Sequence, residues 1–348
     1  MKVIAMKRTI IITLLLIVSG VAVDAQSTKA ERIKEIRTFY SQSKKKIDQN
    51  GKNGRSRKDL HIVFNRQEDE DIPLYDTEEL TYYFDESVTG EGNVTKRPYF
   101  IVENWGNHGH LRYREVLLNP KNQHVMFCYM KGETDAGFVV ESRYYYDEKG
   151  RCVEEKHNTS NSWTSADSEM ENAERYLKIF NMTTGNGSLR SKDSDISKKP
   201  TTPKAERMKY IRATYAKAKE RLAANDKNDM SDDLHVTLHD MGDDRPPRTL
   251  ETKIYFDKDG IYFISQSNKS MSSDGYSEYL FESNTENLIF SYTRGAEEGE
   301  VYEWRYYYDE NGKCIETKTN NNDGADGGAG DKHAAKDWYA IFKMLSEM

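Results

Sequence analysis

Two short stretches of this chain carry side chains able to do chemistry in a repeated order. Residues 138–147 and 300–309 read as strands, in which alternate side chains share a face. One face of the first holds Val139, Glu141, Arg143, Tyr145 and Asp147; the second repeats it as Val301, Glu303, Arg305, Tyr307 and Asp309. A phenol ring can stack on a sugar or a peptide, and a guanidinium can clamp an anion. Glu141, Arg143, Tyr145, Glu303, Arg305 and Tyr307 are therefore the candidate ligand-binding residues. A hydrolytic alternative uses Glu141 or Glu303 with a nearby carboxylate or Tyr as an acid–base pair. The plainer reading is an exposed charge ladder, each cross-strand pair contributing about 0.2–1 kcal/mol. The intervening residues include Phe138, Tyr144, Tyr146, Trp304, Tyr306 and Tyr308. Rings of that size gain most from burial, so their face is expected against the core and the polar row in solvent.

Histidine and cysteine add little. His61 and His235 each follow an Asp by two residues, and His108 and His110 form a His-Gly-His. No carboxylate or thiolate pattern completes three or four ligands, so no metal site is expected. The three Cys, at 128, 152 and 314, are too few for a disulfide scaffold and read as small buried hydrophobes. Neither a nucleotide-binding Gly loop nor a nucleophile elbow occurs, and no cofactor is expected.

The elements that position the two rows are themselves repeated. KAERIKEIR at 29–37 returns as KAERMKYIR at 204–212, DLHIVF at 59–64 as DLHVTL at 233–238, and FCYMKG at 127–132 as FSYTRG at 290–295. RYYYDEKGRCVE at 143–154 returns as RYYYDENGKCIE at 305–316, and IFNM at 179–182 as IFKM at 341–344. Collinear matches predict one domain in two tandem copies, 29–183 and 204–348, joined by a flexible polar linker at 184–203. Each copy opens on an amphipathic helix, with Ile33, Ile36, Tyr40 and Ile47 in the first and Met208, Ile211, Tyr215, Ala218 and Leu222 in the second. Each closes on another, about 167–182 and 331–346. Between them lie six or seven strands with hairpin turns, such as Tyr146-Asp-Glu-Lys-Gly150 and Tyr308-Asp-Glu-Asn-Gly312, where Asp starts the turn and Gly takes its left-handed position. These Tyr-Asp-x-x-Gly runs resemble the YD repeats of Rhs-type proteins over a few dozen residues, and hairpin turns of any antiparallel sheet share that chemistry. The expected fold class is α+β: two copies of an antiparallel meander sheet flanked by N- and C-terminal helices.

Composition bounds the rest. The chain has 348 residues and a net charge of −7, long enough for two domains and too acidic for generic nucleic-acid binding. Residues 1–25 read as a secretory signal peptide, with Lys2, Lys7 and Arg8 before an apolar run and Val23 and Ala25 before a cut ahead of Gln26. The apolar stretch is shorter than a bilayer span, so no membrane insertion is expected after cleavage. The expectation is a secreted or periplasmic tandem-domain binding protein, with a protein or glycan ligand on Tyr-rich sheet surface. The alternatives are the secreted hydrolase and a structural envelope protein with no small ligand.

Overall fold

A computed structural model describes residues 28–52, 57–69, 72–88, 94–107, 110–134, 137–160, 164–185, 201–228, 233–240, 248–270, 273–282, 285–297, 300–320 and 328–346. The expected signal peptide and most of the expected linker lie outside these residues, as do His108 and the side chain of His110. Among the described residues the protein is mixed α+β, with four helices and one antiparallel sheet of fourteen strands. Helix α1 (Lys29–Asp48) precedes β1 (Lys58–Asp69), β2 (Ile72–Val88), β3 (Val94–Asn107), β4 (His110–Leu118), β5 (Val125–Glu133), β6 (Val139–Tyr146) and β7 (Cys152–His157), and α2 (Ala166–Thr183) follows. The same order then runs through α3 (Lys204–Asn228), β8 (Asp233–Asp240), β9 (Arg248–Asp257), β10 (Gly260–Ser270), β11 (Ser273–Phe281), β12 (Leu288–Glu297), β13 (Glu300–Tyr308), β14 (Cys314–Thr319) and α4 (Ala329–Ser346).

Local chemistry sets these boundaries. Thr28 and Glu31 form a capping box at the start of α1, each side chain bonding the other's backbone N–H, which satisfies two donors the helix leaves unpaired. The β6–β7 turn is closed by Asp147, whose Oδ1 accepts from the N–H groups of Lys149 and Arg151 at 2.8 and 3.0 Å. Asp309 does the same for Asn311 and Lys313 at 2.9 and 2.8 Å. Gly150 and Gly312 carry φ of +78° and +69°, where a Cβ would be strained.

The strand order is β14 to β8, then β1 to β7, so both meanders run outward from a central seam. There β1 and β8 pair antiparallel, from Lys58 opposite Asp240 to Asn65 opposite Asp233. One sheet face is covered by α2 and α4, which also touch each other. Beneath them one apolar cluster crosses the seam, joining Leu60, Ile62, Phe64 and Phe180 to Leu234, Val236, Phe256 and Phe342. Phe64 and Phe256 stack there at 5.4 Å. The opposite face carries two separate clusters. Helix α1 sets Ile33 and Ile36 on Phe100, Leu117, Phe127 and Tyr145; α3 sets Met208 and Ile211 on Phe263, Leu280, Phe290 and Tyr307. The two stretches of sequence thus share one sheet and, on one face, one core.

Candidate functional site

Strand β6 places Tyr144 and Tyr146 on the α2–α4 face, fully buried. Their hydroxyls donate to the backbone carbonyls of Thr164 and Ala166, both at 2.8 Å. Tyr306 and Tyr308 are buried in the same way on β13. Phe138 does not follow this pattern: it precedes the strand and is 69% exposed. Cys128 alone of the three cysteines is buried, and Cys152, on an edge strand, is exposed.

The polar row is not the open strand face expected from alternation. Tyr145 and Tyr307 retain only 5% and 7% of their exposure, because α1 and α3 lie over them. Alternation fixes which side chains share a face and is silent on whether a helix covers it. Glu141 and Arg143, further along β6, stay half-buried at the helix margin.

Between each first helix and its sheet lies a cleft, and the two clefts are built alike. The first, of about 400 Å³, is lined by Ile36, Arg37 and Tyr40 of α1 with Phe127, Tyr129, Arg143 and Tyr145 of β5 and β6. The second, of about 380 Å³, is lined by Ile211, Arg212, Tyr215, Phe290, Tyr292, Arg305 and Tyr307. Phe127 and Tyr145 have ring centroids 5.0 Å apart, and Phe290 and Tyr307 5.1 Å. Tyr40 meets Phe127 edge-on at 5.4 Å, as Tyr215 meets Phe290 at 5.1 Å. The Arg143 guanidinium lies 5.1 Å from the Tyr129 centroid, and Arg305 lies 5.1 Å from that of Tyr292. Floor and rim thus combine apolar ring faces with two guanidinium groups, a surface suited to a ligand with a flat face and an anionic group.

Charge pairing distinguishes the two arginines of each cleft. Glu141 holds Arg143 at 2.8 Å and Glu303 holds Arg305 at 2.9 Å. Burial and then Glu141 push the Tyr129 phenol up to about 12. Tyr292 is raised likewise by burial and by Glu303, whose Oε1 accepts from its hydroxyl at 2.9 Å. By contrast, Arg37 and Arg212 make no ion pair among the described residues, though Arg212 lies near enough to Glu316 to lower its pKa.

Behind each cleft sits a buried carboxylate that sequence reasoning passed over. Glu115 on β4 accepts from the Tyr40 and Tyr113 hydroxyls and from Lys44 Nζ at 2.8 Å. Glu278 on β11 accepts from Tyr215, Tyr276 and Lys219 at 2.5, 2.7 and 3.0 Å. Burial, then each Glu as acceptor and as a charge, raises Tyr40, Tyr113, Tyr215 and Tyr276 well above the usual phenol range. The pair pins helix to sheet and fixes the Tyr40 and Tyr215 rings at the cleft wall. The available signal was a Glu recurring inside an apolar run, REVLL at 114–118 and SEYLF at 277–281. Arg32 and Arg207, also repeated and also buried, tie the helix starts to the Tyr146 and Tyr308 carbonyls at 3.3 and 3.2 Å.

Among the described residues the histidines do not assemble into a ligand group. His235 Nε2 lies 2.8 Å from Asp233 Oδ2, whereas Asp59, its sequence counterpart, bonds Arg57 and Asn50 instead. Among the described residues no group of three potential metal ligands occurs, and no helix is long and apolar enough to cross a membrane. In comparisons with known proteins, no family model, curated protein or solved structure matches the chain.

Proposed function

We propose that this is an exported tandem-domain binding protein, whose two copies each take an acidic group of a protein or glycan ligand in the cleft beneath the first helix. The observation that carries this reading is the recurrence of seven lining residues and their ring spacings in both clefts. A charge ladder alone needs no matching arginine from the covering helix; Arg37 and Arg212 supply one in each. The repeated sequence blocks and the repeated element order support two copies of one domain. Export rests on residues 1–25. Two sites with matching linings on one sheet raise affinity for a multivalent partner by effective concentration, without any new contact. The hydrolase reading has less support, because Glu141 and Glu303 are occupied by their arginines.

The test is capture on an array of acidic and neutral glycans, run beside a pull-down from the native envelope, with wild-type chain and the Arg143→Gln/Arg305→Gln double variant. Acidic ligands retained by the wild type and lost by the double variant are expected. Equal capture by both proteins overturns the proposal.

A further inference from the structure

The α2 side of the first half holds a further cavity, of about 570 Å³, lined by Glu78, Glu103, Arg112, Arg114 and Arg175 among others. Its floor is a cross-strand row, Glu78 on β2 opposite Trp105 on β3, itself opposite Arg112 on β4. The next row holds Glu103 opposite Arg114. Helix α2 closes the cavity with Asn172, Arg175 and Tyr176.

The second half shows that the fold does not require these groups. Tyr83 pairs with Phe100 as Tyr255 pairs with Phe263, which fixes the correspondence of positions. At the places of Glu78 and Trp105 stand Leu250 and Asn268, a facing pair; at those of Glu103 and Arg114 stand Gln266 and Ser277. An apolar or neutral filling therefore suffices for the same architecture. Burying several charges is costly unless they are paired, so their retention in one half calls for a use.

The pairing leaves specific groups over. Glu103 accepts from Tyr176 at 2.5 Å and from Arg114, and Glu169 receives Arg114 Nε and Nη2 at 2.7 and 3.3 Å. Both carboxylates are thereby engaged by the one guanidinium. Glu78 Oε1 and Arg175 Nε are buried without a hydrogen-bond partner. Glu78 also lies beside Glu103, whose charge acts on it. Burial, followed by the Glu103 charge, pushes Glu78 up to about 8. The groups facing it are Tyr82 on its own strand, Glu103 on β3, Arg114 on β4, and Arg175 and Tyr176 on α2. A Glu78 carboxyl that keeps its proton at pH 7 can donate to one ligand hydroxyl and accept from another.

We propose that this cavity binds a hydroxylated carboxylic acid of sugar-ring size, a uronic acid, with Arg175 taking the carboxylate and Glu78 and Asn172 the hydroxyls. The volume admits a single ring with room for its substituents. Trp105 offers an aromatic surface, with Arg112 4.5 Å from its centroid. An amino acid fits less well, since its ammonium finds Glu103 and Glu169 already paired and Glu78 neutral. The site is separate from the clefts under α1 and α3 and does not depend on them.

Isothermal titration calorimetry of the full chain with glucuronate and galacturonate, and with glucose as the neutral control, tests the proposal. Saturable uronate binding is expected, at least about tenfold tighter than glucose. Affinity should fall about tenfold from pH 7 to pH 9 as Glu78 ionises beside the ligand's own charge. Glu78→Gln keeps a donor that does not titrate, so it should bind with no such fall. Arg175→Gln should lose at least tenfold at an unchanged melting temperature. Absence of heat with either uronate overturns the proposal, as does an unaltered pH slope in Glu78→Gln. Binding lost in Arg143→Gln/Arg305→Gln but kept in Arg175→Gln also overturns it, assigns uronate to the clefts, and leaves the proposed function standing.

Discussion

Truncating Tyr144 to alanine removes a ring with no exposed surface, buried between β6 and α2. A large aromatic deleted from a core costs about 3–5 kcal/mol through lost transfer energy and the cavity left behind. The hydroxyl bond to the Thr164 carbonyl, 2.8 Å long, adds about 1 kcal/mol. Arg143, one residue away on the opposite face, has a side chain 40% exposed and paired to a Glu141 that is 25% exposed. A pair so open to solvent contributes about 0–1 kcal/mol, and its contact with the Tyr129 ring about 0.5–1. Arg143→Ala should therefore cost about 1 kcal/mol while removing a binding group from the cleft. Urea unfolding of the full chain, read as midpoint shifts at constant slope, separates the two. Should Arg143→Ala destabilise more than Tyr144→Ala, the polar row is a buried structural network, and the cleft reading fails with it.

Other perturbations check other parts of the account. Glu115→Leu removes the acceptor of two tyrosine hydroxyls and of a partly exposed Lys44 and should destabilise by about 1–3 kcal/mol, measured by thermal unfolding beside Glu278→Leu. Because Glu78 is raised, the native state binds more protons than the unfolded one between the ordinary carboxylate range and pH 8. Stability should then fall as pH rises through that window, by at most about 1.4 kcal/mol per pH unit; Glu78→Gln should flatten the profile, and an unchanged slope would contradict the assignment. Residues 28–185 and 201–346, expressed apart, should each unfold cooperatively and should bind each other through β1 and β8 when mixed, as read by sedimentation velocity. Halves that are insoluble alone would make the shared core obligatory. Exported protein should begin at Gln26 by intact mass, and a retained N-terminal segment would contradict cleavage.

How far the sequence carries this architecture depends on the range of each interaction. The α1 stripe of Ile33, Ile36 and Tyr40 and the Asp-x-x-Gly turns are local, since spacing along the chain decides them. The burial of Tyr144 and Tyr146 also follows from period two. The cover on Tyr145 does not, because strand alternation carries no information about a helix a hundred residues earlier. The β1–β8 seam is of the same kind: DLHIVF and DLHVTL have matching apolar faces, and nothing local says they pair with each other. Glu115 and Glu78 read as surface charges on strands until the partners from α1 and α2 are in place. Arg143 and Arg305 stood in the repeated strand and Arg37 and Arg212 at the ends of the repeated helix blocks, but nothing local sets the helix arginines against the strand ones.

The most direct test of the twin-cleft account is a count of ligands per chain. Native mass spectrometry with the tightest acidic glycan or peptide retained on the array should show two bound per wild-type chain. Arg143→Gln and Arg305→Gln should each leave one, and the double variant none. One ligand per wild-type chain, or two that survive in the double variant, would contradict it.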